Sequence, residues 1–377
     1  MTAFAPLLDL LEDIADPRRA QGKRYQVQHV LLFSILAIVT GANSYRGIVT
    51  FIDVHREDLN VAFGLDWCRA PAHTAIRYIL LGLDPTALEA VFRRHAGLLQ
   101  AVLAKAGQIS LALDGKALRG SFDNFKDRAA AQILSAFATQ TALVLAHLDI
   151  DEKSNEIPAA QVLLASLGIP APLVTLDALH CQKKTFEAGA TADATLIVQV
   201  KDNQPTLHQQ AQDICTTEAQ LSQASSRDKG RGGRDETRVV TVFDPGEILN
   251  GSEWQPHVAA IIRVERTVYI RSTKTGLLNR TSETAFYVAN AMVTAAEAAE
   301  ATRGHWGIEN SSHYTRDVTM GEDASRIRSN PGVFARLRSF AYNILKANRI
   351  GTLAQDRYRA ALGGLGRLLK LLGVGQR

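Results

Sequence analysis

Two aspartates stand where strand-like runs end. Asp114 closes the apolar run 109–113 (ISLAL), and Asp177 closes Leu173–Leu176 (LVTL). If the two runs are neighbouring strands, both carboxylates emerge at one edge of a sheet. Like charges that close repel each other and raise a pKa unless a cation neutralises them. Carboxylate oxygen and water are the donors that Mg2+ or Mn2+ prefers. Two such ions can serve an in-line phosphoryl displacement. Each aspartate is equally well explained as a strand-end cap or a turn former, since Asp114-Gly115 is a common turn pair.

A third carboxylate would have to come from a later helix. The stretch 302–317 reads TRGHWGIENSSHYTRD, and α-helical spacing predicts one face shared by His305, Glu309, His313 and Arg316. Glu309 could complete a metal site there while its basic neighbours hold phosphates. The same face also fits a solvated salt-bridging surface. A transition-metal site of His305, Glu309 and His313 is a weaker reading, because no HExxH is present. Lys116 and Arg119 follow Asp114 closely and could contact a phosphate, or serve as a turn lysine and a solvated arginine. Lys201 ends a strand-like run and could reach DNA, while Asp202 and Asn203 suit capping of a helix that starts at Pro205. Trp306 could stack on an extruded base or simply pack in the core. His180-Cys181 does not make a thiol nucleophile, because adjacent residues rarely face each other.

These groups need a scaffold. A chain of 377 residues predicts two or three domains. Residues 1–100 read as a helical domain, with apolar residues at three-to-four spacing and Asp84-Pro85 opening its last helix. It could be packing support or a helix-turn-helix DNA module. The character changes at Gly107. From 108 to 222 the predicted order is β-β-β-α-β-α-β-α, with Ser154-Asn155-Glu156 opening the first helix. That order implies an α/β mixed sheet covered by helices, as in the ribonuclease-H-like fold. Residues 223–236 (QASSRDKGRGGRDE) read as a polar loop, and the runs over 237–290 as a β-rich insertion. Residues 293–377 return to helix.

Charge is unevenly spread. Residues 326–377 hold eleven basic side chains, beginning with Arg326 and Arg328, against the single acid Asp356, while the whole chain carries only +4. The remainder is therefore net acidic, and the C-terminal end predicts a polyanion-binding face. The three cysteines are not spaced as a zinc knuckle or a CxxC, so neither a disulfide framework nor a zinc finger is expected. No leader pattern is evident, and the longest apolar stretch, Val30–Ala42, is too short for a bilayer. A cytoplasmic, nucleoid-associated protein without a membrane partner is the expectation.

Seven segments then occur in order: LALDGKALRGS (111–121), LSAFATQ (134–140), EKSNEIPA (152–159), VTLDALHCQK (174–183), VKDNQPTL (200–207), RGHWGIENSSHY (303–314) and GEDASRIR (321–328). Together they closely resemble the H-repeat-associated transposases of bacterial insertion sequences, a branch of the DDE transposases. The resemblance covers essentially the whole chain. It implies a ribonuclease-H-like core with an N-terminal helical domain and a β-rich insertion before the last catalytic helix. It further implies two divalent ions, Mg2+ or Mn2+, held by Asp114, Asp177 and Glu309, with Asp114 shared between them. The signature that related transposases carry around the glutamate, Tyr-x2-Arg-x3-Glu-x6-Lys, reads here as Thr302, His305, Glu309 and Arg316. The implied partners are double-stranded DNA, as terminal inverted repeats and target, and a second copy of the chain once DNA is bound. A domesticated DNA-binding relative, and a nuclease that hydrolyses without strand transfer, remain as rival readings.

Overall fold

The computed structural model describes residues 5–19, 22–105, 107–122, 129–150, 155–230, 233–271 and 276–373. It divides into two compact units. One draws on the described residues before 107, on Gly115–Glu156 and on residues from 308 onward; the other comprises Gly107–Asp114 and Ile157–Gly307.

The first unit begins with six helices, α1 (Ala5–Glu12), α2 (Val27–Thr40), α3 (Tyr45–Val54), α4 (Arg56–Phe63), α5 (His73–Gly82) and α6 (Pro85–Leu103). Helix α2 is apolar all round and is buried over nearly its whole length, with α1 and α3 packed against it. Among the described residues no single helix is long and apolar enough to cross a membrane. Local chemistry sets the helix starts. The Ser44 hydroxyl accepts from Gly47 N at 3.1 Å to open α3. The Asp84 carboxylate accepts from Thr86 N at 2.9 Å, with Pro85 in the first turn of α6.

The same unit holds the hairpin of β2 (Gln132–Ala138) and β3 (Leu143–Ile150), paired antiparallel. Helix α11 (Pro331–Ala347) packs against α2, α6 and β3, and α12 (Leu353–Leu362) and α13 (Gly364–Leu372) close the unit. Two polar groups lock α11 in place. Asn343 accepts from Val144 N and donates to Val144 O, and Arg336 pairs with both Glu89 and Asp149.

Strand β1 (Ser110–Ala117) starts in the second unit and ends in the first. It does not stop at Asp114, as the Asp-Gly pair suggested, but runs three residues further. Helix α7 (Glu156–Ala165) follows the hairpin; Ser154, expected to open it, lies outside the described residues. Then come β4 (Leu173–Leu176), α8 (Lys183–Thr191), β5 (Thr195–Val200) and α9 (Pro205–Thr217). Four long strands complete the second unit's sheet: β6 (Gln220–Lys229), β7 (Arg234–Phe243), β8 (Ala260–Arg271) and β9 (Leu278–Ala289). Within that unit the order is β1-β4-β5-β9-β8-β7-β6. The first three strands are parallel, and from β9 outward the pairing is antiparallel. This is the mixed α/β sheet flanked by helices, behind a helical N-terminal region, that the element order predicts.

The stretch expected to be a polar loop is instead strand. Residues 223–229 belong to β6 and pair with β7 from Asp235 to Thr241. An edge strand is half-exposed on both faces, so polar side chains suit it and discourage pairing with other chains. Deeper in the sheet, Ile197, Val240, Val242, Ile262 and Ala289 form a core with Ala295, Ala298 and Ala301 of α10 (Ala295–Gly307). The small alanines let that helix sit close to the strands.

Candidate active site

Strand register places the two aspartates. In the parallel pair of β1 and β4, Ser110 is opposite Leu173, Leu111 opposite Val174 and Ala112 opposite Thr175. Extending the same register by two residues sets Asp114 opposite Asp177, at the carboxyl end of β4. Asp177 is not sealed in: its side chain is 49% exposed. One oxygen accepts from Leu179 N at 3.0 Å and so caps the short turn Ala178–His180.

That turn is braced from the β5–α9 connection. Asn203 Nδ2 donates to Ala178 O at 2.6 Å, and Gln204 Nε2 donates to Cys181 O at 2.8 Å. Asn203 and Asp202 were expected to cap α9; Gln204 holds that position, with no side-chain cap bond. The lysine before them, Lys201, is exposed directly after β5. Burial pushes the Cys181 thiol up to about 12, so it stays protonated and is no nucleophile.

His305 belongs to this unit as well. Its Nδ1 lies 3.0 Å from Thr175 Oγ1, and the Thr175 hydroxyl also reaches Leu111 O at 3.1 Å. With the hydroxyl proton on Leu111 O, the ring donates from Nδ1 and keeps Nε2 as its acceptor. Burial lowers the His305 pKa and His180 adds to this, against the opposing pull of Asp177. The imidazole is therefore neutral near pH 7, which removes the charge that a phosphate contact at this position would use. Trp306 is 53% exposed, so it is not the core-packing residue its spacing allowed.

In the other unit, residues Ile308–His313 and Thr315–Thr319 wind as π-helix rather than α-helix. Such wide turns change which side chains share a face and recur at functional sites. The face expected for His305, Glu309, His313 and Arg316 is accordingly broken up. Glu309 is exposed, whereas His313 and Arg316 are buried, Arg316 completely. Lys116 is buried too, at 7% exposure. Its ammonium pairs with Asp317, and with Glu322 Oε2 at 3.0 Å. The Arg316 guanidinium donates to Glu322 Oε1 at 2.9 Å. Lys116, His313 and Arg316, expected to touch DNA, are thus part of the protein interior. Arg119, Arg326 and Arg328 are exposed, Arg119 beside Asp323 at 3.6 Å.

Thr175, Gln204 and Glu322 received no role from the sequence, and Asn203 only that of a helix cap, although all four lie inside the conspicuous segments VTLDALHCQK, VKDNQPTL and GEDASRIR. Among the described residues no three carboxylate, imidazole or thiolate groups gather into a preformed metal site. The carboxylates at the β1–β4 edge suit a hard divalent cation, and His180 Nε2 lies 3.9 Å from Asp177 Oδ1 beside them.

Comparison with known proteins assigns the chain to a class. The transposase DDE domain model matches residues 105–344, and the model of the region associated with that domain matches residues 8–96. The chain belongs to the DDE transposase family, in which catalysis generally depends on divalent metal. Among its relatives, "H repeat-associated putative transposase YhhI" of Escherichia coli K12 is 28% identical over 355 residues, covering 91% of each chain. "Putative protein YbfL" of the same strain is 28% identical over 352 residues, again covering 91% of each. A solved piggyBac transposase synaptic complex with hairpin DNA aligns with 98% of this chain and 80% of its own, at a TM-score of 0.42 and 9% identity.

Proposed function

We propose that the protein is a metal-dependent DNA transposase. It cuts a strand of double-stranded DNA at the terminal inverted repeats of an insertion sequence and joins the freed 3′-hydroxyl to target DNA. The register that sets Asp114 opposite Asp177, in a chain of the DDE family, is the observation that carries this reading.

Asp114, Asp177 and Glu309 would hold Mg2+ or Mn2+ through their carboxylates. The chemistry such metal would supply is activation of the attacking hydroxyl and charge neutralisation at the leaving oxygen. The chain's own residues position these acids. The Asn203–Gln204 brace fixes the Asp177 turn, while the Thr175 hydroxyl, held by neutral His305, ties β4 to Leu111 of β1. The exposed cations Arg119, Lys201, Arg326 and Arg328 grip phosphates, and exposed Trp306 offers a face for an unstacked base. Two element ends must be processed together, so the working form on DNA is a homodimer, acting at the nucleoid.

The test is a product assay on DNA carrying the element's own flanks. A labelled end with a free 3′-hydroxyl should become covalently joined to a plasmid in Mg2+ or Mn2+, and Asp177→Ala should abolish joining while DNA binding persists. Nicks without joined product would favour a nuclease. Binding without either would favour a domesticated DNA-binding protein.

A further inference from the structure

Glu322 sits at the centre of a buried clasp that the function above does not use. It is 2% exposed, on the connection between the second π-helical segment and α11. Three cations converge on its carboxylate: Arg316 at 2.9 Å, Lys116 at 3.0 Å and Arg338 at 3.5 Å. Its backbone N–H donates to Arg316 O at 2.9 Å, so both ends of the residue are tied to the segment that follows Glu309. Burial alone would raise this carboxyl. Arg316, Lys116 and Arg338 outweigh that and hold it far below the ordinary carboxylate range.

The neighbouring residues tighten the same junction. Gly321 is left-handed at φ 65° and accepts from Asn43 Nδ2 at 2.6 Å, while Arg338 donates to Asn43 Oδ1. On the β1 side, Gly120 packs so close to the Ser325 carbonyl that any Cβ would collide with it. Lys116 and Gly120 lie just beyond Asp114 on the chain; Arg316 lies seven residues beyond Glu309. A buried carboxylate shared by three cations has well-defined geometry, and removing it leaves three buried charges under-compensated.

We infer that Glu322 is a positioning residue: it locks the π-helical segment carrying Glu309 to the end of β1, and so sets where the third carboxylate is held. This rests on the transposase reading for its catalytic consequence, but not for its structural one. Among the described residues the exposed Glu309 side chain shows no comparable anchor, which makes the winding of residues 308–319 the element to be held.

The experiment compares wild type, Glu322→Gln and Asp149→Asn, the last removing an ion pair with Arg336 elsewhere in the unit. Backbone hydrogen exchange is read for peptides spanning 308–319, together with thermal unfolding, DNA affinity and single-turnover cutting. Glu322→Gln should raise exchange across 308–319 at least tenfold. It should lower the cutting rate about 10- to 100-fold, as loss of a supporting hydrogen-bond partner does at metal sites, with DNA affinity within about twofold. Asp149→Asn should leave both exchange at 308–319 and the cutting rate near wild type. Unchanged exchange in folded Glu322→Gln overturns the inference, as does an equal slowing by Asp149→Asn at equal loss of stability. A wild type that never cuts, yet shows the exchange difference, would remove the transposase reading and leave the positioning role standing. If Glu322→Gln does not fold, Lys116→Met reports on the same clasp with one charge fewer.

Discussion

Continued two residues past its last pair, Ala112 with Thr175, the parallel register of β1 and β4 sets Asp114 opposite Asp177. Two carboxylates held side by side repel when no cation lies between them. Asp114→Asn should therefore behave in opposite ways in two assays. In EDTA it should stabilise the fold by about 0.5 kcal/mol, the scale of a cross-strand charge pair. With Mg2+ it should lose strand cutting. Thermal unfolding of wild type and variant in EDTA and in Mg2+ checks the first half; a variant less stable than wild type in EDTA would mean that the pair is not repulsive.

The basic C-terminal segment is two populations. Arg336 and Arg338 are buried in ion pairs, and Arg357 donates to Thr319 O and Ile38 O, whereas Arg326 and Arg328 are exposed. Only the exposed ones can release counterions from DNA. The double variant Arg326→Ala/Arg328→Ala should flatten the slope of log affinity against log salt by about 2, near 0.9 per phosphate contact. Arg316→Ala should instead cost several kcal/mol of stability, because it strips a partner from buried Glu322. Fluorescence titrations at three salt concentrations, with urea unfolding, separate the two classes.

Glu89 performs a similar internal task in the first unit. Its carboxylate accepts from His147 N at 2.6 Å and from Arg336 Nε at 2.9 Å, and lies 3.1 Å from His147 Nδ1, whose Nε2 meets Ser339 Oγ at 2.9 Å. The Ser-His-Glu succession resembles a hydrolase triad, yet His147 and Ser339 are fully buried, so no substrate reaches them. Burial by itself would raise the Glu89 carboxyl, but His147 and Arg336 hold it down to about 2. Glu89→Ala should cost about 3–5 kcal/mol, the penalty for unpairing a buried charge. Ser339→Ala should cost about 1 kcal/mol. Denaturant midpoints decide.

Two buried histidines contribute to acid sensitivity. Burial lowers His95 to about 4, and burial together with Arg316 and Lys116 lowers His313 to about 3. A folded value below the ordinary 6.5 means that the unfolded chain takes up the proton first. Their stabilising contribution is complete above about pH 6.5 and is lost as pH falls from there towards 4 and then 3. Urea midpoints should fall steadily from about pH 7 to pH 4. His95→Phe should reduce that slope, and an unchanged slope would count against the assignment.

The apolar runs made much of the core legible. ISLAL, LVTL and LIVQV (196–200) fit buried strands in being short, apolar and bounded by polar or turn residues, and the aspartates that follow two of them were visible at once. Three features were not. β6 is an edge strand whose polar residues carry no alternation to distinguish it from a loop. Lys116 and Arg316 are cations in the interior, made tolerable by Glu322 and Asp317, which are distant from Lys116 in sequence. The π-helical winding over 308–319 left the spacing of His305, Glu309, His313 and Arg316 intact on paper while sending two of them inward.

The most direct test of the central claim is cutting of flanking element DNA by wild type and by Glu309→Ala, each in Mg2+, in Mn2+ and in EDTA. Breaks at the element ends that require metal and vanish in the variant, with DNA affinity retained, are the predicted result. Cutting that persists in EDTA or in Glu309→Ala, or wild-type protein that binds the ends and never breaks them, would contradict it.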